Sequence, residues 1–108
     1  MTEQGRPTKI SFVYSNPTDP DAFETAYPDQ IALARKLPGL TRLQASKVWP
    51  KEDGSPIPAY RLLDLYFADY AAASGAVATT EAGSLVAATL EHATGGVLIA
   101  FAEVLDDA

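Results

Sequence analysis

The sequence predicts an α+β domain of the ferredoxin-like class, with the element order β-α-β-β-α-β. Three observations point to it. The chain has 108 residues, the size of one domain, and 47% of them are hydrophobic, enough for a single core. Extended runs at residues 9–14, 40–49, 60–67 and 97–105 are separated by two segments with helical spacing of apolar residues. We expect one four-stranded antiparallel sheet with both helices on one face, over residues 9–105, after a flexible tail, residues 1–8.

The first strand and the first helix follow from apolar spacing. A period of two puts three side chains on one face of the first strand: Ile10, Phe12 and Tyr14. The helix begins after Asp19, a typical N-cap, with Pro20 in its first turn. Its core-facing stripe comprises Phe23, Tyr27, Ile31, Leu33 and Leu37. Pro28 interrupts the stripe, so we expect a kink or a restart there.

The second and third strands are expected to form a hairpin. Residues 40–49 alternate imperfectly and are polar on one side. Residues 60–67 place apolar side chains on both faces of the third strand. Between them, residues 50–58 contain three prolines and one glycine, too many breakers for regular structure, and they predict an exposed loop.

The second helix is predicted in two pieces. Asp69 opens it, and the alanine-rich run that follows is a weak helix. Thr79 and Thr80 offer a new cap, after which a core-facing stripe is formed by Leu85, Val86, Thr89 and Leu90. The last strand then begins after the pair of glycines at 95–96.

A sheet covered by helices on one side leaves its other face open. We expect Leu62, Tyr66, Ile99 and Phe101 on that open face. Because a monomer rarely exposes several hundred Å² of apolar surface, two open faces are expected to pack together in a homodimer and close into a barrel.

Composition excludes several classes of partner and cofactor. The formal net charge is −6 and no basic cluster is present, which argues against nucleic acid. No apolar run is long enough to cross a membrane, and the amino terminus does not resemble a signal peptide, so the cytoplasm is the expected compartment. With no cysteine and one histidine, we expect no metal and no cofactor.

Five blocks of the sequence, in this order, resemble the EthD family: Lys9–Tyr14, Asp19–Phe23, Leu33–Leu40, Tyr60–Phe67 and Ala93–Val97. The most specific part is Leu-Pro-Gly-Leu after the first helix, joined to the Tyr-Phe strand and the Ala-Thr-Gly-Gly entry to the last strand. The resemblance implies a dimeric α/β barrel. It also implies a setting, because the family is linked to degradation of ethyl tert-butyl ether beside a cytochrome P450 system and includes fungal polyketide dehydratases.

The chain departs from the EthD pattern in the first helix. The family usually has a histidine eight residues before the proline of Leu-Pro-Gly-Leu, and this chain has Gln30 there, with Ala32 in place of the family's next proline. An amide does not titrate, so general acid or base chemistry is lost at this position. We expect Gln30 to be partly exposed and Gln30→His to change stability by less than about 1 kcal/mol.

Four residues are candidates for binding a small, mostly apolar ligand: Tyr27, Gln30, Tyr66 and Phe101. They would line a pocket between the first helix and the open sheet face, with a hydroxyl and an amide to orient the ligand. The alternative is that these aromatic residues are ordinary core. Trp49 would anchor either the proline-rich loop or the rim of the dimer.

Asp64 is the candidate catalytic carboxylate, because it interrupts an apolar strand and would act as an acid or base if buried in a dimer cavity. The alternatives are an ion pair with Arg42 or a place at a wet barrel mouth. Glu103 admits the same interpretations. His92, the only histidine, is either a proton carrier or a partner for the negative end of a helix dipole.

Two functions remain open at this point. The first is a small-molecule-binding or accessory protein in the catabolism of ethers or other apolar compounds, linked to an oxidoreductase system. The second is a small cofactor-independent enzyme of the dehydratase, isomerase or monooxygenase type.

Overall fold

The computed structural model describes residues 6–106 and confirms the predicted α+β ferredoxin-like fold. The strands are β1 (Thr8–Tyr14), β2 (Leu40–Lys47), β3 (Arg61–Phe67) and β4 (Val97–Glu103). The helices are α1 (Pro20–Ala34), α2 (Tyr70–Val77) and α3 (Thr80–His92). The four strands form one antiparallel sheet in the order β2-β3-β1-β4. Within residues 6–106, no helix has both the length and the apolar character needed to cross a membrane.

The sheet begins earlier than the sequence predicted. Thr8 is the first residue of β1 and is buried, so it does not belong to a flexible tail. The Val104 amide donates a hydrogen bond to the Pro7 carbonyl at 2.9 Å, and the Arg6 guanidinium lies 3.8 Å from the Glu103 carboxylate. The rest of the predicted tail, residues 1–5, lies outside the described residues.

The two faces of the sheet follow from the strand register, because residues paired directly across strands share a face. Ile10 and Phe12 are buried under the helices, and they pair with Phe101 and Ile99 on β4. Ile99 and Phe101 therefore lie on the helix-covered face, and their predicted place on the open face is wrong. Both faces of β4 are apolar in sequence. The alternation of side chains along the strand therefore does not predict which face packs against the helices.

The open face consists of twelve side chains from four strands. These side chains form three rows across the strands, and the rows become more apolar from one end of the sheet to the other. The rows are Arg42, Tyr66, Lys9 and Ala102; then Gln44, Asp64, Ser11 and Ala100; then Ser46, Leu62, Val13 and Leu98. Leu62 and Tyr66 are on this face as predicted. Leu98 is its most exposed large apolar side chain, at 71%.

Helix α1 is continuous through Pro28, where a kink or restart was predicted. The cap is as predicted, with Asp19 Oδ1 accepting from the Ala22 amide at 3.1 Å. Pro28 and Glu24 are both exposed, so the Glu24 carbonyl that loses its helical donor lies on the solvent side. This placement explains why the proline does not end the helix.

The break between α2 and α3 also lies where the sequence placed it, with Thr79 Oγ1 accepting from the Ala82 amide at 3.2 Å. The buried stripe of α3 differs from the prediction, because Val86 and Leu90 are exposed. The residues that face the sheet are Ala82, Leu85 and Thr89. Two of these three residues are small or polar, on the helix that packs against α1.

Candidate functional site

Four polar side chains are buried together between β1, α1 and α3, and we name them the Tyr-Gln cluster: Tyr14, Tyr27, Gln30 and Thr89. Tyr14 ends the inward-facing stripe of β1, and Tyr27 and Gln30 lie one helical turn apart on the inner face of α1. Thr89 faces them from α3. The cluster is thus held by three elements that pack on one another.

Two hydrogen bonds fix side chains of the cluster. Gln30 Nε2 donates to the Tyr14 hydroxyl oxygen. Thr89 Oγ1 donates to the Leu85 carbonyl at 2.8 Å. Gln30 and Tyr14 are thereby joined directly, and Thr89 is tied to the backbone of its own helix.

Two polar atoms of the cluster have no hydrogen-bond partner. They are the Tyr27 hydroxyl and the Gln30 side-chain oxygen Oε1, and both are inaccessible to solvent. An unpaired buried polar group costs about 1–3 kcal/mol. Such groups in folded proteins are normally paired with protein, water or ligand, so these two atoms are the exceptions in this cluster.

Burial keeps both tyrosines of the cluster protonated. Desolvation raises the pKa of Tyr27 to about 12, and it raises the pKa of Tyr14 further. At neutral pH these hydroxyls are hydrogen-bond donors and neutral acceptors. The site can orient a ligand, but a tyrosine that stays protonated cannot act as a general base.

Aromatic rings surround the cluster. The Phe23 ring stacks on Tyr27 at 5.2 Å between centroids and meets Tyr14 edge to face at 5.3 Å. Tyr60 packs edge to face on the other side of Phe23, also at 5.2 Å. These rings give the site apolar walls around its few polar atoms, the composition typical of small-molecule sites.

An ion pair lies beside the cluster, where α1 meets the start of β3. Arg61 donates to both carboxylate oxygens of Glu24, with Nε at 3.2 Å, and the Tyr60 hydroxyl donates to the same carboxylate at 2.8 Å. The Arg61 guanidinium is 5.7 Å from the centre of the Tyr27 ring. Its hydrogen bonds hold the pKa of Glu24 below its usual range. Both charges are thereby paired with each other.

The structure brings together only two of the four predicted ligand-binding residues, Tyr27 and Gln30. Tyr66 lies on the open face, on the opposite side of the sheet. Phe101 lies on the helix-covered face but at the edge strand, 5.9 Å from the ring of Tyr70. Gln30 is 1% exposed, which contradicts its predicted place at a partly exposed position.

The sequence reasoning missed Tyr14 and Thr89 as members of the site. Tyr14 brings a phenolic hydroxyl to the inward stripe of β1, and Thr89 is the polar member of the α3 stripe. A polar group at a core position was the available signal in both cases, because such a group needs a buried partner.

Asp64 lies on the open face and not in the Tyr-Gln cluster. It accepts a hydrogen bond from the Ser11 hydroxyl and lies 3.8 Å from the Lys9 ammonium, so its ion-pair partner is Lys9 and not Arg42. Arg42 instead lies over the Tyr66 ring, 4.1 Å from its centre. Its place on the sheet keeps Asp64 apart from the unpartnered atoms of α1.

The other titratable candidates lie at the ends of elements. His92 is in the last turn of α3, where its imidazole complements the helix dipole, and its Nε2 is 3.5 Å from Glu91 Oε1. Glu103 ends β4 and pairs with Arg6. Neither contacts the cluster.

A separate apolar cavity of about 500 Å³ lies at the end of β2. Its lining combines the end of β2 with the loop that follows: Lys47, Val48, Trp49, Pro50, Ile57 and Tyr60. Trp49 is 86% exposed, the largest exposed fraction among the large apolar side chains of residues 6–106. Trp49, predicted to anchor either the loop or the dimer rim, therefore projects outward in the single chain.

Comparison with known proteins gives one relative and several similar structures. No family model matches the chain. The chain is 34% identical over 96 residues to an 11.0 kDa protein encoded in the thcB-thcC intergenic region of Rhodococcus erythropolis, covering 88% of this chain and 92% of that protein.

The crystal structure of an EthD family protein from Bacillus halodurans superposes with a TM-score of 0.84 at 22% identity, over 92% of this chain and 99% of that one. A dimeric ferredoxin-like protein of Thermobifida fusca gives 0.70 at 11% identity, over 96% of each chain. SnoaB of Streptomyces nogalater, a cofactor-independent oxygenase, gives 0.65 at 13% identity, over 96% of this chain and 95% of that one. These three likenesses show the fold, and the predicted EthD-like architecture is confirmed at that level.

Proposed function

We propose, from the premise that this chain belongs to the family of the 11.0 kDa Rhodococcus erythropolis protein and has the EthD fold, that it binds a small, mostly apolar molecule at the Tyr-Gln cluster. The observation that carries the proposal is the pair of unpartnered buried atoms, Tyr27 Oη and Gln30 Oε1. They lie within aromatic walls that favour an apolar body. Polar groups of a bound molecule would satisfy these atoms.

Binding is better supported than catalysis at this site. A general base needs a pKa near the working pH, whereas burial raises the pKa of both tyrosines well above it. Gln30 stands where the EthD family usually has a histidine, and its amide does not exchange protons. The groups in the cluster therefore favour holding a ligand over moving a proton, and a cofactor-independent enzyme is the weaker alternative.

The setting we propose for this binding protein is the catabolism of ethers or other apolar organic compounds beside an oxidoreductase system. The resemblance of the sequence to the EthD family supports this setting. An accessory protein that holds or passes on an apolar intermediate needs a site with apolar walls and no reactive group, as the Tyr-Gln cluster provides.

We also propose that the chain works as a homodimer joined through the open sheet faces. The open face carries exposed Leu98 with Val13 and Leu62 beside it. Similar folds from Thermobifida fusca and Jannaschia are described as dimeric. A twofold arrangement would cover this face on both copies.

Native mass spectrometry of the purified protein tests the binding proposal. We expect a retained small molecule on the wild type and its loss from the double variant Tyr27→Phe/Gln30→Met, which removes both unpartnered atoms. Tyr60→Phe is the matched control, because it removes a tyrosine hydroxyl outside the cluster. A protein that carries no ligand after native purification, or a double variant that retains it fully, would contradict the proposal.

A further inference from the structure

We infer that two copies of the chain pack their open sheet faces together about a twofold axis that runs along the strands. In this arrangement β1 of each copy lies across from β3 of the other, and β2 lies across from β4. The inference rests on the homodimer proposed above and specifies how its two halves meet. It follows from the order of the side chains on the open face, which suits one alignment of the two sheets and opposes the other.

Two alignments cover the open face of both copies completely. Sheets that pack face to face in the aligned manner keep their strands within about 30° of each other. The twofold axis between them then runs either along the strands or across them. An axis along the strands places each of the three rows of the open face against the same row of the partner. An axis across the strands places each strand against its own copy, so that the first row meets the third.

The apolar row favours the axis along the strands. At the end of the sheet where β4 begins, this row consists of Ser46, Leu62, Val13 and Leu98. With the axis along the strands, Leu62 meets Val13 of the partner subunit, and both apolar side chains leave water. With the axis across the strands, Lys9 would meet Val13 of the partner subunit, an apolar side chain that offers its ammonium no hydrogen bond.

The acidic residue of the open face favours the same axis. Asp64 lies in the middle row, where it accepts from the Ser11 hydroxyl and is 3.8 Å from the Lys9 ammonium. With the axis along the strands, it lies across from Ser11 of the partner subunit, a neutral polar side chain. With the axis across the strands, the two Asp64 carboxylates would lie across from each other, and like charges brought together between two sheets repel.

The polar row is complementary to itself in the inferred arrangement. Lys9 lies across from Tyr66 of the partner subunit, and its ammonium is already 5.9 Å from the centre of the Tyr66 ring in its own chain. A second aromatic ring beside the ammonium adds a cation–π contact. Arg42 is exposed on the edge strand β2, so its guanidinium keeps contact with water at the rim of the interface.

The two alignments give Leu98 different neighbours in the partner. With the axis along the strands, Leu98 lies across from Ser46 of the partner subunit, because β4 lies across from β2. With the axis across the strands, it lies across from Ala102 of the partner subunit, four residues along the same strand. The neighbour of Leu98 therefore distinguishes the two alignments.

Cross-linking of introduced cysteines identifies this neighbour, because the chain has no cysteine of its own. The variant Ser46→Cys/Leu98→Cys carries one thiol on each edge strand, about 14 Å apart within a chain of four strands spaced by about 4.8 Å. A bis-maleimide that reaches about 10 Å, the separation of packed sheets, should join the two positions between copies. We expect most of this variant to become a covalent dimer.

Leu98→Cys/Ala102→Cys is the matched control. Its two thiols lie about 13 Å apart along β4, and they come across from each other between copies only when the axis runs across the strands. We expect it to give no more covalent dimer than Leu98→Cys alone. A covalent dimer from this control, with none from Ser46→Cys/Leu98→Cys, would overturn the inference.

A pair in the middle row keeps the test open if Leu98→Cys itself dissociates the copies. Gln44 and Ala100 also lie across from each other when the axis runs along the strands, whereas the other axis places each of them against its own copy. We therefore expect a covalent dimer from Gln44→Cys/Ala100→Cys and none from Gln44→Cys alone. Equal cross-linking of these two variants would contradict the alignment.

Asp64→Asn tests the charge argument separately. No carboxylate lies across from Asp64 in the inferred arrangement, so removal of its charge should not tighten the dimer. Glu81→Gln is the control, because it removes one negative charge from the exposed side of α3. A lower dissociation constant for Asp64→Asn than for Glu81→Gln would show that like charges face each other, and the inferred axis would be wrong.

Sedimentation of the wild-type protein separates this inference from the homodimer on which it rests. If the wild type is a monomer at micromolar concentration, the homodimer and the inferred axis both fail. If the wild type and the cysteine variants are dimers but neither Ser46→Cys/Leu98→Cys nor Leu98→Cys/Ala102→Cys is cross-linked, the homodimer stands and the inferred alignment is wrong.

Discussion

Gln30 is the residue on which the structure most changes the expectation from sequence. It is buried, and its amide nitrogen donates to the Tyr14 hydroxyl. An imidazole differs in shape and places its donors differently, so Gln30→His should now cost about 1–3 kcal/mol of unfolding free energy, more than the sequence suggested.

Urea denaturation of Gln30→His against the wild type measures this cost. Asp29→His is the control, since Asp29 lies exposed on the same helix and should shift stability by less than about 0.5 kcal/mol. Equal stability of wild type and Gln30→His would show that an imidazole fits the cluster.

Glu24 should make the free energy of unfolding depend on pH. Its hydrogen bonds with Arg61 lower the pKa of the folded carboxyl below the value of about 4.3 expected when unfolded. A lowered folded pKa means that the stabilisation is fully present above the unfolded value and is lost as the pH falls through the folded value.

Thermal melts of wild type and Glu24→Gln from pH 7 to pH 3 test this pH dependence. We expect the variant to be less stable at pH 7, and the difference to shrink below about pH 4.3 as the wild-type carboxyl is protonated. Glu52→Gln, in the exposed loop, should leave the profile unchanged. A Glu24 difference that is constant over this range would contradict the linkage.

At the residue scale, the sequence predicted half of the Tyr-Gln cluster. Tyr27 and Gln30 were found because helical spacing and the EthD resemblance both pointed at α1. Phe101 was placed on the wrong face because the faces of a strand can be told apart from sequence only when one is polar. Tyr66 was placed on the correct face, but that face lies across the sheet from α1. Both faces of β4 are apolar, so the register with Ile10 and Phe12 was needed.

At the scale of elements, the entry to β4 depends on Gly95. A Cβ built at this position would lie 2.0 Å from the Asn16 carbonyl oxygen, in the loop between β1 and α1. Because that oxygen belongs to the backbone, relief requires the two chain segments to separate. Gly95→Ala should therefore destabilise the fold by at least about 3 kcal/mol.

Gly83→Ala is the opposing control for this prediction. Gly83 is inside α3, and a Cβ there meets nothing within 4 Å. Alanine is a better helix former than glycine, so this change should stabilise by about 0.5–1 kcal/mol. Urea unfolding of both variants measures whether each change raises or lowers the free energy of unfolding. A Gly95→Ala variant as stable as the wild type would show that the loop is free to move away.

Caps and breakers predicted most element boundaries, whereas burial within the helices was less predictable. Asp19 and Thr79 act locally, so their effect is visible in sequence. The side of α3 that is buried depends on how closely it approaches α1, and the exposure of Leu90 could not follow from spacing alone. Pro28 was tolerated because its missing donor faces solvent, which is a tertiary property.

At the scale of the whole molecule, the open sheet face sets the requirement for a partner. Four strands about 4.8 Å apart and seven residues long at about 3.3 Å per residue give a face of roughly 440 Å². A stable interface usually buries about 800 Å² on each partner. We propose that the dimer interface extends beyond the sheet to exposed Trp49, which lines the apolar cavity at the end of β2.

Substitution of Leu98 should separate the copies without unfolding them. Leu98 is exposed in the single chain, so Leu98→Lys leaves the core intact but would bury an unpaired charge between the open faces. We expect a shift from dimer to monomer in sedimentation velocity at micromolar concentration. Leu90→Lys, an equally exposed site on the helix side, should leave the dimer intact. A wild-type protein that sediments as a monomer would contradict the dimer itself.

Trp49 provides a second measurement of the same assembly, because it is the only tryptophan in the chain. If its apolar surface completes the interface, its fluorescence in the wild-type dimer is that of a buried indole, and Leu98→Lys or dilution moves the emission to longer wavelength. Trp49→Ala should weaken the dimer at least tenfold without lowering the stability of the monomer, since the side chain is 86% exposed there. A dimer whose dissociation constant is unchanged by Trp49→Ala would place this side chain outside the interface and require the missing area to come from another surface.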